Sequence, residues 1–216
     1  VSQDANVAPT SVVPTTVADP QIQWLYGLVG RHPDPGVQSL ISLNMNHLVA
    51  FSFQEDVSIG GTKDVNPMAF IVVDVPGHGL LPVFNIKPRV LQGLPSSILM
   101  RMLRHEYEHY LQWRDHRYPV ESFLPPQNPN FTRDEVKNIM HSESEAYEAE
   151  CLFLRSQNLD YYQRSEPNAP IDPCVSYDQE GRRGVARWLT DNYVKFIPAF
   201  KEHEAYMYEL VDHEMW

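Results

Sequence analysis

Apolar positions recur along this chain with two different periods. In "PQIQWLYGLVGR" (20–31) they fall at Ile22, Leu25, Tyr26 and Val29, the spacing of one helical face, and Gly30 is placed to close the helix. "DPGVQSLISLNMNH" follows as a second helical or irregular piece. The period then shortens to that of strands. "HLVAFSFQ" (47–54), "MAFIVVDV" (68–75) and "LLPVFNI" (80–86) are short, rich in β-branched and aromatic residues, and set off by Gly60-Gly61, Asn66-Pro67 and Pro76-Gly77. From Pro95 onward the pattern is helical, with a break at Pro198. Sheet first and helices after predicts an α+β domain whose helices pack on one small antiparallel or mixed sheet. Residues 1–19, "VSQDANVAPTSVVPTTVAD", show neither period and read as an extended arm or linker ahead of a single folded domain over 20–216.

With 216 residues the chain is long enough to bury a sizeable core. Its formal charge is −11 and its Lys and Arg form no run, which argues against nucleic acid or an anionic membrane as a partner. Its apolar runs stop short of the ~20 residues that a membrane helix needs, so no membrane span is expected. An acidic soluble enzyme fits this balance better. The sequence opens Val1-Ser2-Gln3 without methionine, which reads as a processed form. Cys151 and Cys174 form either one disulfide or two buried thiols, and neither has the close second cysteine of a paired-ligand zinc site. The processed start, the Pro/Thr arm and the possible bridge lean together toward a secreted or periplasmic protein.

The candidate chemistry lies in "PSSILMRMLRHEYEHYLQWRDH" (95–116), a helix with Pro95-Ser96-Ser97 as its cap. His105 and His109 stand one turn apart on the face that also carries Ile98, Met102 and Trp113, so both imidazoles point inward. The plain alternative is a pair of core histidines, each donating to a carbonyl. Glu106 completes His-Glu-x-x-His, in which two imidazoles bind one zinc and the carboxylate beside them serves as general base.

A catalytic zinc needs a third protein ligand. "FTRDEVKNIMHSESEAYEAECLFLRSQ" (131–157) opens with a Thr132-x-x-Glu135 capping box and carries an apolar stripe through Val136, Ile139, Met140, Ala146, Tyr147 and Leu154. Glu143 sits in the middle of that stripe. Glu145 is turned about 200° away, beside Asn138, His141, Ser142 and Glu148, and is expected to face solvent. A carboxylate on an apolar face needs a cation: a metal, or a buried Arg or Lys, although no basic residue on either helix is expected to point inward.

These two segments resemble the zincin metallopeptidases, specifically the gluzincins, in which His-Glu-x-x-His is completed by a glutamate on a following helix. "ESEAY" (143–147) is similar to their second signature, Glu-x-Glu-Ala followed by Asp, Asn or Tyr. A second gluzincin pattern, Asn-Glu-Ala-aromatic, aligns its ligand with Glu145 instead. The resemblance implies a zincin-like fold and Zn2+ held by His105, His109 and Glu143. It implies a peptide or protein substrate hydrolysed with Glu106 as base. It also implies a Tyr or His that steadies the developing oxyanion, for which Tyr147, Tyr161, Tyr162, Tyr177 and His141 are candidates. An edge strand, "MAFIVVDV" or "LLPVFNI", would pair with extended substrate. Tyr147 departs from the fuller signature, which has an Asp there to orient a ligand histidine, and Glu150, one turn beyond, is the candidate substitute.

Two other readings remain open: a zincin-like metal-binding domain without turnover that acts as a protein-binding module, and a helical protein whose His pair is structural. The later clusters "KEHEAY" (201–206) and "DHEMW" (212–216) lack a four-residue His spacing and read as a solvated face. Their apolar partners, among them Val185, Leu189, Phe200 and Leu210, are expected to pack on the domain.

Overall fold

The computed structural model describes residues 19–54, 58–59, 62–63, 67–91, 93–123, 131–161 and 171–213, so the arm read over 1–19 lies outside the described residues except for Asp19. Two helices open the fold by the same device. Asp19 accepts from the Gln21 N–H at 2.8 Å and Pro20 takes the first position of α1 (Pro20–Val29); Asp34 accepts from Gly36 N at 2.8 Å ahead of α2 (Pro35–Met45). In both, a side-chain oxygen satisfies an orphan helix donor, and proline occupies a site where no N–H is needed.

The strands are β1 (Ala50–Ser52), a small hairpin of β2 (Ser58–Ile59) and β3 (Thr62–Lys63), then β4 (Met68–Val75) and β5 (Gly79–Ile86). β4 and β5 are antiparallel, joined through Gly77 and Gly79, both with positive φ that glycine adopts without a steric penalty. β1 runs parallel to β5, so the order β1-β5-β4 gives a mixed sheet with β4 at one edge. β1 is shorter than the run 47–54 suggests. Beyond Ser52 the amide of Asn85 replaces the ladder, accepting from Gln54 N and donating to Gln54 O, both at 3.1 Å.

The rest of the described chain is helical: α3 (Pro88–Leu91), α4 (Ser96–Arg114), α5 (Arg133–Ser156), α6 (Pro173–Glu180), α7 (Arg182–Phe196) and α8 (Glu204–Asp212), with 3-10 turns at Val120–Phe123 and Pro198–His203. α4 starts without a side-chain cap, contrary to the reading of Pro95-Ser96-Ser97, and ends two residues earlier than His116. α5 has both halves of its capping box. The fold is thus α+β with a small mixed sheet and a helical majority. Among the described residues no helix is long and apolar enough to cross a membrane.

Two main apolar clusters form. One packs α1, α2 and α4 on the sheet around Phe51, Phe70, Phe84, Leu99 and Leu103; the other joins α5, α7 and α8 around Val136, Met140, Leu189 and Met207. The contact of α4 with α5 is the seam between them, and the candidate residues lie there. A Cys151–Cys174 disulfide ties α5 to the start of α6, resolving the alternative left open above.

Candidate metal centre

His105 and His109 project from α4 into the seam, each 7% exposed, with their Nε2 atoms 3.2 Å apart. α5 brings Glu143 across from them. Its Oε2 lies 3.5 Å from His105 Nε2, and its Oε1 lies 3.5 Å from His109 Nε2. One donor atom from each of the three falls within 4.8 Å of the others, the one such cluster of three or more among the described residues.

A hydrogen bond behind His109 fixes its tautomer. Gln112 Nε2 donates to Ser142 O at 2.9 Å and to Glu145 Oε2 at 3.1 Å, which turns its Oε1 toward His109 Nδ1 at 2.8 Å. That ring nitrogen must therefore carry hydrogen, leaving the Nε2 lone pair aimed at the cleft. His105 Nδ1 sits 3.3 Å from Glu150 Oε2, short of full hydrogen-bond alignment but again facing an acceptor. Two lone pairs and a carboxylate thus converge on one point, which is stable only if protons or a cation lie between them.

The protonation equilibria agree. Burial would depress His105, but the carboxylates of Glu143, Glu150 and Glu106 outweigh it and hold the ring well above its ordinary 6.5. His109 is raised in the same way, against burial, chiefly by Glu143. For Glu143 burial pushes upward, yet the two imidazoles win and keep it far below the usual carboxylate range.

Glu106, 8% exposed, is anchored differently. Its Oε2 accepts the N–H of Phe70 on β4 at 2.7 Å. Pro67 O faces β5, where it accepts from Lys87 N, so by alternation the backbone groups of Met68, Phe70, Val72 and Asp74 point to the edge of β4 that has no partner strand among the described residues. The Phe70 ring meets Phe84, Phe123 and Tyr110 edge-on, which pins this stretch of strand to the core. Burial raises the Glu106 carboxyl, and the two imidazoles and the Phe70 N–H only partly offset that.

The outer partners correct two expectations. Glu145 does not face open solvent: its side chain is 21% exposed and lies 3.0 Å from Arg117 and 3.7 Å from Arg182, besides receiving Gln112. One basic residue does point inward, Arg101, 3% exposed, but its carboxylates are Glu150 and Asp172 rather than Glu143. Of the four candidate oxyanion donors among the described residues, Tyr147 alone lines the cleft, its ring edge-on to His105 at 4.4 Å. Tyr177 bonds Glu148, Tyr161 bonds Asp178, His141 rests near Tyr118, and Tyr162 lies outside the described residues. Tyr193 on α7 was not singled out by any sequence pattern, yet it lies within the field of the Glu143 carboxylate. Burial, then the charge of Glu143, hold the Tyr147 and Tyr193 phenols well above 10.0, so both stay protonated donors.

The cleft encloses about 140 Å³ and is bordered by Phe70, Met102, Phe123 and Ile139 besides the polar residues. A larger cavity of about 530 Å³ shares none of this lining, and its Arg104, Arg117 and Arg182 are paired with acids around it. The donor set at the cleft fits zinc. Ligands about 2.0–2.2 Å from a tetrahedral cation stand roughly 3.3–3.6 Å from one another, close to the spacings found here. No family model, no curated protein and no solved structure matches the chain.

Proposed function

We propose that the protein is a zinc metallopeptidase with a zincin-like fold of the gluzincin type, its ion held by His105, His109 and Glu143. The observation that carries this proposal is the convergence of two Nε2 lone pairs and one carboxylate, 3.2–3.5 Å apart, beside a second carboxylate, Glu106, that is anchored separately. A zinc ion bound there supplies an acidified water and an electrophile for a substrate carbonyl oxygen.

The chain's own residues divide the remaining work. Glu106 is the general base: the Phe70 N–H holds Oε2, leaving Oε1 to take a proton from water and pass it to the leaving amine. Burial makes that carboxylate more basic, which suits the role. Tyr147 supplies a neutral hydroxyl at the cleft wall for charge that develops on the carbonyl oxygen. The free edge of β4 runs to Glu106 and offers backbone donors and acceptors to an extended peptide.

Zinc content by elemental analysis and hydrolysis of a mixed peptide library test the proposal. The wild type should hold one zinc per chain and cleave peptides. Glu106→Gln should hold zinc equally and lose about 10²–10⁴-fold in turnover. Zinc without turnover in the wild type would favour the binding-module alternative, and no zinc uptake at all would overturn both.

A further inference from the structure

A group of charged residues stands behind His105 with no part in the steps above. Arg101 lies one turn before His105 on α4. Its guanidinium forks onto Asp172, Nη1 to Oδ2 at 2.9 Å and Nη2 to Oδ1 at 3.1 Å, and Nη2 also reaches Glu150 Oε1 at 2.8 Å. The other oxygen of Glu150 is the one 3.3 Å from His105 Nδ1. Asp172 has a second task, for its Oδ1 accepts from Cys174 N at 2.9 Å and caps α6. Cys174 is bridged to Cys151, the residue after Glu150, and its Sγ lies 3.6 Å from Arg101 Nη2. Both acids held by Arg101 therefore come from segments that are covalently joined to each other.

The chemistry gives this arrangement a direction. Two carboxylates on one guanidinium leave a net negative charge, and the oxygen not engaged by Arg101 faces the ring of His105. An acceptor at Nδ1 fixes which ring nitrogen is free to ligate and raises its basicity. A glutamate side chain alone would wander among rotamers, at a cost in entropy each time it came into place. Held by a 3%-exposed arginine that is itself forked to a capped helix start, it does not.

Resting on the zinc proposal above, we infer that Arg101, Asp172 and Glu150 are positioning residues that hold His105 Nε2 toward the metal, kept in register by the Cys151–Cys174 bridge. Four variants of the full chain separate the contributions. Glu150→Ala removes the acceptor; Glu150→Gln keeps an acceptor without the charge. Asp172→Asn keeps the cap, since Asn caps as well as Asp, but breaks the fork to Arg101. Cys151→Ala with Cys174→Ala removes the clamp alone.

Zinc affinity is read by competition with a chromophoric chelator, and ligand geometry by the visible absorption of the Co2+-substituted protein. Glu150→Ala should weaken zinc binding about 10–100-fold and alter the Co2+ spectrum, with partial recovery in Glu150→Gln. Asp172→Asn and the cysteine pair should show smaller losses in the same direction. If the wild type binds zinc and Glu150→Ala binds it equally with an unchanged Co2+ spectrum, the positioning role is overturned while the zinc proposal stands. A wild type that takes up no zinc overturns both. Should Glu150→Ala not fold, Asp172→Asn decides the matter, and wild-type affinity in that variant overturns the inference.

Discussion

Replacing Gln112 by leucine removes one side chain that serves both the fold and the site. Gln112 is wholly buried and makes three hydrogen bonds, accepting from His109 Nδ1 and donating to Ser142 O and Glu145 Oε2. Each bond contributes about 0.5–1.5 kcal/mol net, and a buried partner left unsatisfied costs about 1–3 kcal/mol. Glu145 keeps its arginines and the Ser142 carbonyl keeps its place in the α5 ladder, so the burden falls chiefly on the His109 ring. The expected loss of stability in the metal-free protein is about 2–4 kcal/mol. Loss of its outer partner should also lower zinc affinity about 10–100-fold, because the His109 ring is free to turn. Gln112→Glu separates the two effects. Its carboxylate still accepts from His109 Nδ1, so zinc affinity should stay within a few-fold of wild type, on the order of what a retained acceptor allows. The same group faces Glu145 and a carbonyl with no hydrogen to give, so stability should fall as in the leucine variant. Chemical denaturation with chelator present reads the first quantity, and chelator competition reads the second. Equal zinc affinity in the wild type and the leucine variant would refute the role assigned to this amide.

The pH dependence of stability should reverse on metal binding. His105 and His109 have raised values in the metal-free fold, so their contribution is full below the ordinary 6.5 and is lost as pH rises through the folded values; the contribution of Glu143, whose value is depressed, is present above 4.5 and is lost on acidification. Melting curves from pH 5 to 9 should therefore show the chelated protein weakening above about 6.5 while the stabilisation by zinc grows, and a zinc effect flat with pH would contradict it. Gly184→Ala should destabilise by about 1–3 kcal/mol or more in denaturant titration, because a Cβ there would stand 2.0 Å from the Ser176 carbonyl oxygen and force α6 off α7. Thr132→Ala should cost about 1 kcal/mol by breaking the α5 capping box while leaving zinc affinity unchanged, since Glu143 lies three turns further along. An altered zinc affinity in that variant would mean that the start of α5 steers the site.

What could be read from the chain followed from local spacing. The four-residue step between His105 and His109 fixes one helical face, and the apolar stripe of α5 puts Glu143 on the face that meets it. Arg101, four residues before His105, and Gln112, three after His109, lie on that same face and are legible by the same spacing. Asp-Pro at 19–20, 34–35 and 172–173 also marks three helix starts that the hydrophobic period leaves vague. Other features depend on partners remote in sequence. Glu145 is turned away from the histidines as its position requires, but Arg117 and Arg182 close over it, 28 residues before and 37 after. Asp172 meets Arg101 across 71 residues, and Tyr193 reaches Glu143 from a helix whose pattern reads as ordinary packing. β1 stops at Ser52, short of the run 47–54, because the amide of Asn85 stands in for backbone pairing, which no strand propensity reports.

The charge balance at the seam would couple proton uptake to the metal binding proposed above. Glu106, Glu143, Glu150 and Asp172 surround the cleft and the rings behind it, with Arg101 as their buried fixed cation. With both imidazoles neutral the group carries an excess of three negative charges, a costly state for side chains packed between two apolar clusters. Without metal the excess is reduced by protons on the rings, and Glu143 offers a separate oxygen to each, which is why both histidines are raised and this glutamate is depressed. A divalent cation held there, as proposed above, would replace two such protons charge for charge and let both Nε2 lone pairs ligate. The features that strain the metal-free cleft electrostatically, namely buried acids in excess and two lone pairs aimed at each other, are the ones that a dication bound as proposed above would relieve.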